Sequence, residues 1–467
     1  MGQRDDDKKI LWHTLAFMAF STVWGFGNVI NGFSEYGGLR AIVSWILIFA
    51  IYFVPYALMV GELGSTFKDA GGGVSSWIQE TIGPRMAYYA GWTYWVVHMP
   101  YISQKPNSTV IAASWALFQD KRASSMDTTV MQLICLVIFL FAMYLSSKGM
   151  GVLKRLSALA GSTMFIMSML FIAMMVAAPA LTGGTFMTIQ WSLKTFIPTF
   201  DASFFMGLSI LVFAVGGCEK ISPYVNKMKD PSRDFSKGMA ALALMVAVTA
   251  ILGTVALGMM FDSSHIPPDL MTNGAYYAFQ RLGEYYHMGN FCGIVYALTN
   301  LIGQFSVMVL SVDAPLRMLL DSADTRFIPR KMFEKNEHGT YVNGHRLVML
   351  IVCVLIIVPA FGIRNVDVLV RWLVKVNSVC MPLRYLWVFV AYIALKKAGD
   401  AYHAQYRFLK GRTAGVLVGV WCFGFTAFAC ITGIYSDDLF QLVLNIVTPF
   451  VLVGLGFILP WLAAREN

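Results

Sequence analysis

Twelve apolar runs, each long enough to cross the hydrocarbon core of a bilayer, divide this chain. They fall near 10–34, 40–63, 86–117, 128–147, 156–181 and 200–226, then near 236–261, 287–320, 347–364, 366–396, 411–435 and 438–463. A helix of about 20 apolar residues covers the ~30 Å core. Only structures that satisfy every backbone polar group internally are stable there. The fold class is therefore an all-α polytopic membrane protein with about 12 transmembrane helices. Composition agrees, since 57% of the 467 residues are hydrophobic and 13% charged, where a soluble domain carries roughly a quarter charged.

Several classes are disfavoured by what the chain carries. The start, MGQRDDDKK, runs into the first apolar run without a cleavage-site pattern, so no cleavable signal peptide is expected. The seven cysteines stand singly and mostly in apolar segments, which argues against disulfides and metal motifs. No GxxxxGK[ST] loop is found, so an ATP-driven pump is not expected. The formal net charge of +9 points to basic cytoplasmic loops rather than to nucleic acid. Those loops carry most of the Lys and Arg, among them Arg4, Lys8, Lys9, Lys154, Arg155, Lys227, Lys229, Arg330 and Lys331. The opposite side holds only Arg40, Lys121, Arg122, Lys194, Arg281, Arg364 and Arg371. The positive-inside rule then places both termini in the cytoplasm, with the chain in the cell membrane.

Two of the runs are interrupted. "STVWGFGNVINGF" (21–33) places Gly25, Gly27, Asn28, Asn31 and Gly32 near the middle of the first. "LSILVFAVGGCEKISPYVNKMKDP" (208–231) places Gly216, Gly217, Glu219 and Lys220 inside the sixth. Glycine costs about 1 kcal/mol in a helix interior. A close-packed helix interface is one explanation. Two interruptions five spans apart favour another, a transporter whose broken helices form the binding site. Five is odd, so spans six to ten (200–396) would run opposite to spans one to five (10–181), with 411–463 outside this 5+5 inverted repeat. Amides at one half-helix start suit a carboxylate, and carbonyls at another half-helix end suit an ammonium. An amino acid offers both groups.

The segments "GGGVSSWIQETIGPR" (71–85), "GCEKISPYVNKMKDPSRDF" (217–235) and "APLRMLLDSADTRFIPRKMFEKNEHGTYVNG" (314–344) together resemble the amino acid–polyamine–organocation transporters, and most nearly their glutamate/γ-aminobutyrate antiporter branch. The resemblance implies a LeuT-like fold with broken first and sixth helices. It puts the substrate carboxylate near the amides of Gly25, Phe26 and Gly27, and the ammonium near the carbonyls of Phe213 and Gly216. Phe213 matches the family's aromatic lid, and Glu219 the acid after the break. Asn28, Ala214 and Gly217 lie within the two interruptions and join the expected site. There are departures. The first-span loop is not the usual GSG, Ser311 stands where related antiporters often carry a tryptophan gate, and the long C-terminal plug of the glutamate antiporters is not expected before Asn467.

Charges at membrane depth cost at least ~2.5 kcal/mol each and usually face a cavity. The candidates are Glu62, Lys105, Glu219, Lys220, Asp313, Arg317, Lys375 and Arg384. Glu62 reads as half of a structural pair, and Asp313 and Arg317, four apart, pair along one helix face. Lys220 either snorkels or faces the site. Lys105, between Pro100 and Pro106 in the third span, is expected in the cavity, and His98 nearby reads as a packed histidine. The fifth span lacks the lysine found in some proton-coupled relatives, with Ser162 in its place, and the eighth lacks the hydroxyl pair of a sodium site. The expectation is an amino acid exchanger without a cofactor, favouring an acidic or neutral substrate. Proton symport is the alternative, and a membrane-embedded enzyme would need a catalytic constellation that the chain does not assemble. The partners are the small-molecule substrate and the lipid bilayer, and the sequence leaves a homo-oligomer open.

Overall fold

The computed structural model describes residues 10–70, 73–182, 192–361, 365–402 and 404–466. The amino-terminal segment 1–9, Gly71 and Gly72 of the glycine motif, Arg364 and Asn467 lie outside the described residues. Helices dominate, and among the described residues only isolated bridges pair extended backbone, Ile10 with Met228 and Lys335 with Tyr341. Ten helical stretches, from Gly38–Thr66 to Leu439–Glu466, are long and apolar enough to cross a membrane. The other two expected spans are the ones with polar or broken middles. The first runs Trp12–Val23 and then Phe26–Glu35. The third runs Pro84–Val96 and then His98–Phe118, with Lys105 and Pro106 in its second part.

Sequence sets where these helices begin. The fourth, sixth, tenth and twelfth spans each open on an Asx side chain that accepts a free backbone N–H. Asp127 takes Thr129 at 2.9 Å, Asp201 takes Phe204 at 3.1 Å, Asn365 takes Asp367 at 2.8 Å and Asp438 takes Phe440 at 2.9 Å. Such a cap is worth about 1 kcal/mol. Long apolar side chains such as Leu133, Val137, Leu244, Leu350 and Phe450 face outward, where lipid replaces water as the solvent for them.

The two interruptions are real breaks that lie side by side. Trp24 and Gly25 are extended between the half-helices of the first span. In the sixth span the helix Ala202–Val215 stops at extended Gly216, Gly217 turns with φ +110°, and tight 3₁₀ turns carry Cys218–Lys227 onward. A side chain at Gly217 would be strained at that φ, so the turn requires glycine. Asn28 ties the breaks together. Its amide nitrogen donates to the carbonyls of Val23 and Ala214, each at 3.2 Å. Below the sixth-span break the chain entry is fastened too: the Ile10 N–H donates to the Lys227 carbonyl at 2.9 Å, and the Lys229 N–H to the Ile10 carbonyl at 3.2 Å.

Buried charges away from the breaks are paired. Lys396 reaches Glu62 at 2.5 Å, and Glu62 also accepts from Tyr392 and the Phe408 N–H. Arg317 sits 2.6 Å from Asp313, one helical turn earlier. Both pairs match the structural roles that position and spacing assigned to them.

Candidate functional site

A polar cavity of about 160 Å³ lies against both breaks. Its walls come from the first span around Gly25 and Gly27, the third around Tyr101 and Lys105, and the sixth at Phe213 and Gly216. The eighth contributes Asn300 and Gln304, and the tenth Arg384 and Tyr385. The half-helix Phe26–Glu35 begins at this wall without a side-chain cap. Its first amides therefore have no partner within the helix, whereas the Asn28 N–H closes on the Gly25 carbonyl at 2.9 Å. A Cβ at Gly27 would meet nothing within 4 Å, so the backbone there is open to the cavity. The N-terminal end of a helix attracts negative charge.

On the facing wall the tolerance is the reverse. A side chain on Gly216 would collide with the Tyr385 ring, which keeps that backbone in close contact with the tenth span. The Phe213 carbonyl accepts the Gly216 N–H at 3.3 Å. The Phe213 ring meets Tyr101 edge to face, centroids 6.1 Å apart.

Three cations line the space. The Lys105 ammonium lies 4.5 Å from the centre of the Tyr101 ring, and the Lys220 ammonium 5.2 Å from the same ring. Lys220 is 1% exposed and donates to Ser311 at 2.6 Å. Arg384, 2% exposed, lies between the Tyr94 and Tyr385 rings, 4.9 Å from each, and contacts the His98 ring. Glu219 is the balancing carboxylate. It sits 3.4 Å from the Arg384 guanidinium and accepts from Tyr94 at 2.7 Å and from Tyr56. Its oxygens are held by these partners behind the wall, so the cavity itself carries excess positive charge. An unbalanced cation in a low-dielectric site attracts an anionic ligand strongly.

Six of the eleven residues expected in the site line the cavity: Gly25, Gly27, Asn28, Lys105, Phe213 and Gly216. The other five stand behind it. The Phe26 ring packs against Phe171, Phe279 and Tyr296. Ala214 acts through the carbonyl that Asn28 holds, and Gly217 forms the turn. Glu219 holds Arg384, and Ser311 holds Lys220 while donating to the Val307 carbonyl at 2.5 Å. Lys220 therefore does not snorkel. Lys375, counted in the sequence with the cavity cations, instead faces a separate space of about 150 Å³ together with Glu35. Tyr101, Gln304 and Tyr385 were not singled out in the sequence. The only signal for Gln304 was a polar side chain in the apolar eighth span, and aromatic residues are too common here to signal anything.

Comparison with known proteins identifies the family. The family model described as "Amino acid permease" matches residues 10–464. An aspartate/glutamate permease of Lactococcus lactis subsp. cremoris (strain MG1363) is 48% identical over 474 residues, covering 99% of this chain and 97% of the relative. A protein of Lactococcus lactis subsp. lactis (strain IL1403) described as a "Probable agmatine/putrescine antiporter" is 24% identical, covering 76% and 72%. A glutamate/gamma-aminobutyrate antiporter of that same strain is 22% identical, covering 74% and 68%. A match over nearly the whole chain leaves one conclusion: the protein is a multi-pass member of the amino acid permease family, within the amino acid–polyamine–organocation superfamily.

Proposed function

We propose that this protein is a secondary transporter that exchanges an acidic or neutral amino acid for a related amino acid or its decarboxylation product by alternating access. Acidic substrates are favoured. The carrying observation is the charge of the cavity: Lys105, Lys220 and Arg384 line it, while Glu219, the carboxylate beside them, is already held by Arg384, Tyr56 and Tyr94. The substrate α-carboxylate would meet the amides of Gly25 to Gly27, its ammonium the carbonyl ends of the sixth-span half-helix at Phe213 and Gly216, and its side-chain carboxylate the Lys105 ammonium. The relative named as an aspartate/glutamate permease, 48% identical, points the same way. The 24% identical relative carries a name for cationic amines, and the excess positive charge of the cavity would repel such a ligand.

The wider reading rests on the five-span offset of the two breaks and on the loop charges. Spans one to five (10–181) and six to ten (200–396) form an inverted repeat whose broken helices meet at the cavity, 411–463 lies outside it, both termini face the cytoplasm of a cell membrane, and no covalent chemistry takes place. Counterflow into proteoliposomes is the test. Liposomes loaded with unlabelled glutamate should take up labelled glutamate several-fold faster than empty ones, with aspartate and a neutral amino acid competing and arginine or agmatine not. Equal rates with and without internal substrate, with acidification of the lumen, would replace exchange by proton symport. A preference for arginine or agmatine would refute the electrostatic assignment of the substrate.

A further inference from the structure

The basic groups of the cavity differ in what holds them. Arg384 has the Glu219 carboxylate at 3.4 Å. Lys220 is anchored on the Ser311 hydroxyl at 2.6 Å. Lys105 donates to a neutral acceptor, the side-chain oxygen of Gln304, at 3.2 Å, and no carboxylate lies within ion-pair distance of it among the described residues.

That oxygen is not free to turn away. The Gln304 amide nitrogen donates to the Asn300 side-chain oxygen at 3.1 Å, and the Asn300 amide nitrogen donates to the Tyr276 hydroxyl at 2.8 Å. Tyr276 is stacked flat on Trp115, centroids 5.2 Å apart with an interplanar angle of 3°, and the Trp115 N–H is held by Asn273 at 3.0 Å. Flipping the Gln304 amide would set its NH₂ against the Lys105 ammonium, donor against donor, and would also give up its bond to the Asn300 oxygen. The row Tyr276–Asn300–Gln304 thus aims a neutral acceptor at Lys105, and all four of these side chains line the cavity.

We propose that Gln304 sets the discrimination between dicarboxylic and neutral amino acids: it positions the Lys105 ammonium while leaving its charge uncompensated for the substrate side chain. A carboxylate in the same place would orient Lys105 equally well and cancel its charge permanently. A carboxylate adds to the hydrogen bond a direct ionic attraction that an amide lacks, so a glutamate at 304 would compete with the side chain of an acidic substrate. This inference rests on the acidic-substrate reading above, and it assigns Gln304 a positioning role through Lys105.

The experiment compares competition by glutamate and by a neutral amino acid of similar size, such as glutamine, against labelled substrate bound to the purified full-length protein. Each variant is taken from its monodisperse fraction. In wild type glutamate should win by tenfold or more. Gln304→Glu should weaken glutamate at least tenfold and leave glutamine within about threefold, which inverts or abolishes the preference. A merely structural role would weaken both ligands together. The interchange Lys105→Gln with Gln304→Lys keeps one ammonium and one amide in the same space and should restore most of the acidic preference. It also provides the readout should the single variant not fold. Wild type without acidic preference would overturn the substrate reading itself. Wild type with that preference, and either Gln304→Glu unchanged in its ratio or the interchange variant without preference, would overturn the role of Gln304 alone.

Discussion

Any side chain on Gly216 would have to occupy the volume of the Tyr385 ring, and that ring is packed on Tyr56 and bonded to Arg384, so it can yield only into the cavity. Overpacking of this kind costs typically 1–3 kcal/mol and displaces backbone, here at the carbonyl end expected to hold the substrate ammonium. Gly216→Leu should therefore reduce uptake at least 100-fold while the protein still inserts and elutes as a monodisperse peak. Uptake within threefold of wild type would remove the sixth-span break from the site. Lys105 carries the opposite kind of role, charge without tight packing. Lys105→Ala should weaken glutamate binding by tenfold or more and spare neutral amino acids, and Lys105→Glu should exclude glutamate altogether, both read by competition. Residues of this kind differed in how visible they were in the sequence. Gly216, Gly217 and Lys105 stood out because glycine and charge are costly at membrane depth. Tyr385 and Gln304 did not, because their roles depend on partners in spans far away in sequence. The direction of Glu219, away from the cavity and toward Tyr56, Tyr94 and Arg384, was equally hidden, since a buried acid says nothing of which face of a 3₁₀ turn it will take.

At the level of single helices, the breaks were legible and their fastening was not. Paired glycines marked both interruptions, but that Asn28 bridges Val23 and Ala214 needed the fold. A typical intramolecular hydrogen bond contributes about 0.5–1.5 kcal/mol net, and a buried carbonyl left unpaired costs more. Asn28→Ala removes two such bonds at once. It should lower the thermal unfolding temperature by a few degrees and reduce transport more steeply than the stability loss alone accounts for, as read by comparing uptake with the folded fraction. The fifth and eighth spans carry a separate expectation. Ser162 and Thr163 both donate to carbonyls of their own helix, at 3.0 and 2.9 Å, and Ser311 on the eighth span already has the Lys220 ammonium on it. The lysine nitrogen already occupies that hydroxyl, so it is not open to a sodium ion. Exchange should proceed at the same rate, within a factor of two, when choline replaces sodium on both sides of the membrane. A strict sodium requirement would mean that these two helices hold an ion in a different arrangement.

Across the whole molecule the hydropathy pattern gave span number and order because the bilayer punishes any other arrangement of so much apolar surface. Costly charge at membrane depth pointed to Lys105, Lys220, Lys375 and Arg384 as cavity residues; three of them, from the third, sixth and tenth spans, meet on one small space, and Lys375 does not. One feature at the edge of that arrangement acts at long range. The pairing of Ile10 with Lys227 and Lys229 makes the entry of the chain into the membrane and the lower half of the broken sixth helix a single mechanical body. For the proposed exchange cycle this means that a rearrangement of that half-helix either drags residue 10 with it or breaks two backbone bonds, an imbalance of roughly 1–3 kcal/mol between the two outcomes. Through the logarithmic link between energy and population, a difference of that size changes the ratio of two states by about five- to 150-fold. Ile10 then acts as a ballast that sets how long the protein dwells on one side of its cycle. Ile10→Pro, which deletes one donor, should quicken hydrogen–deuterium exchange at residues 227–229 several-fold and change the exchange rate constant without altering which substrates compete.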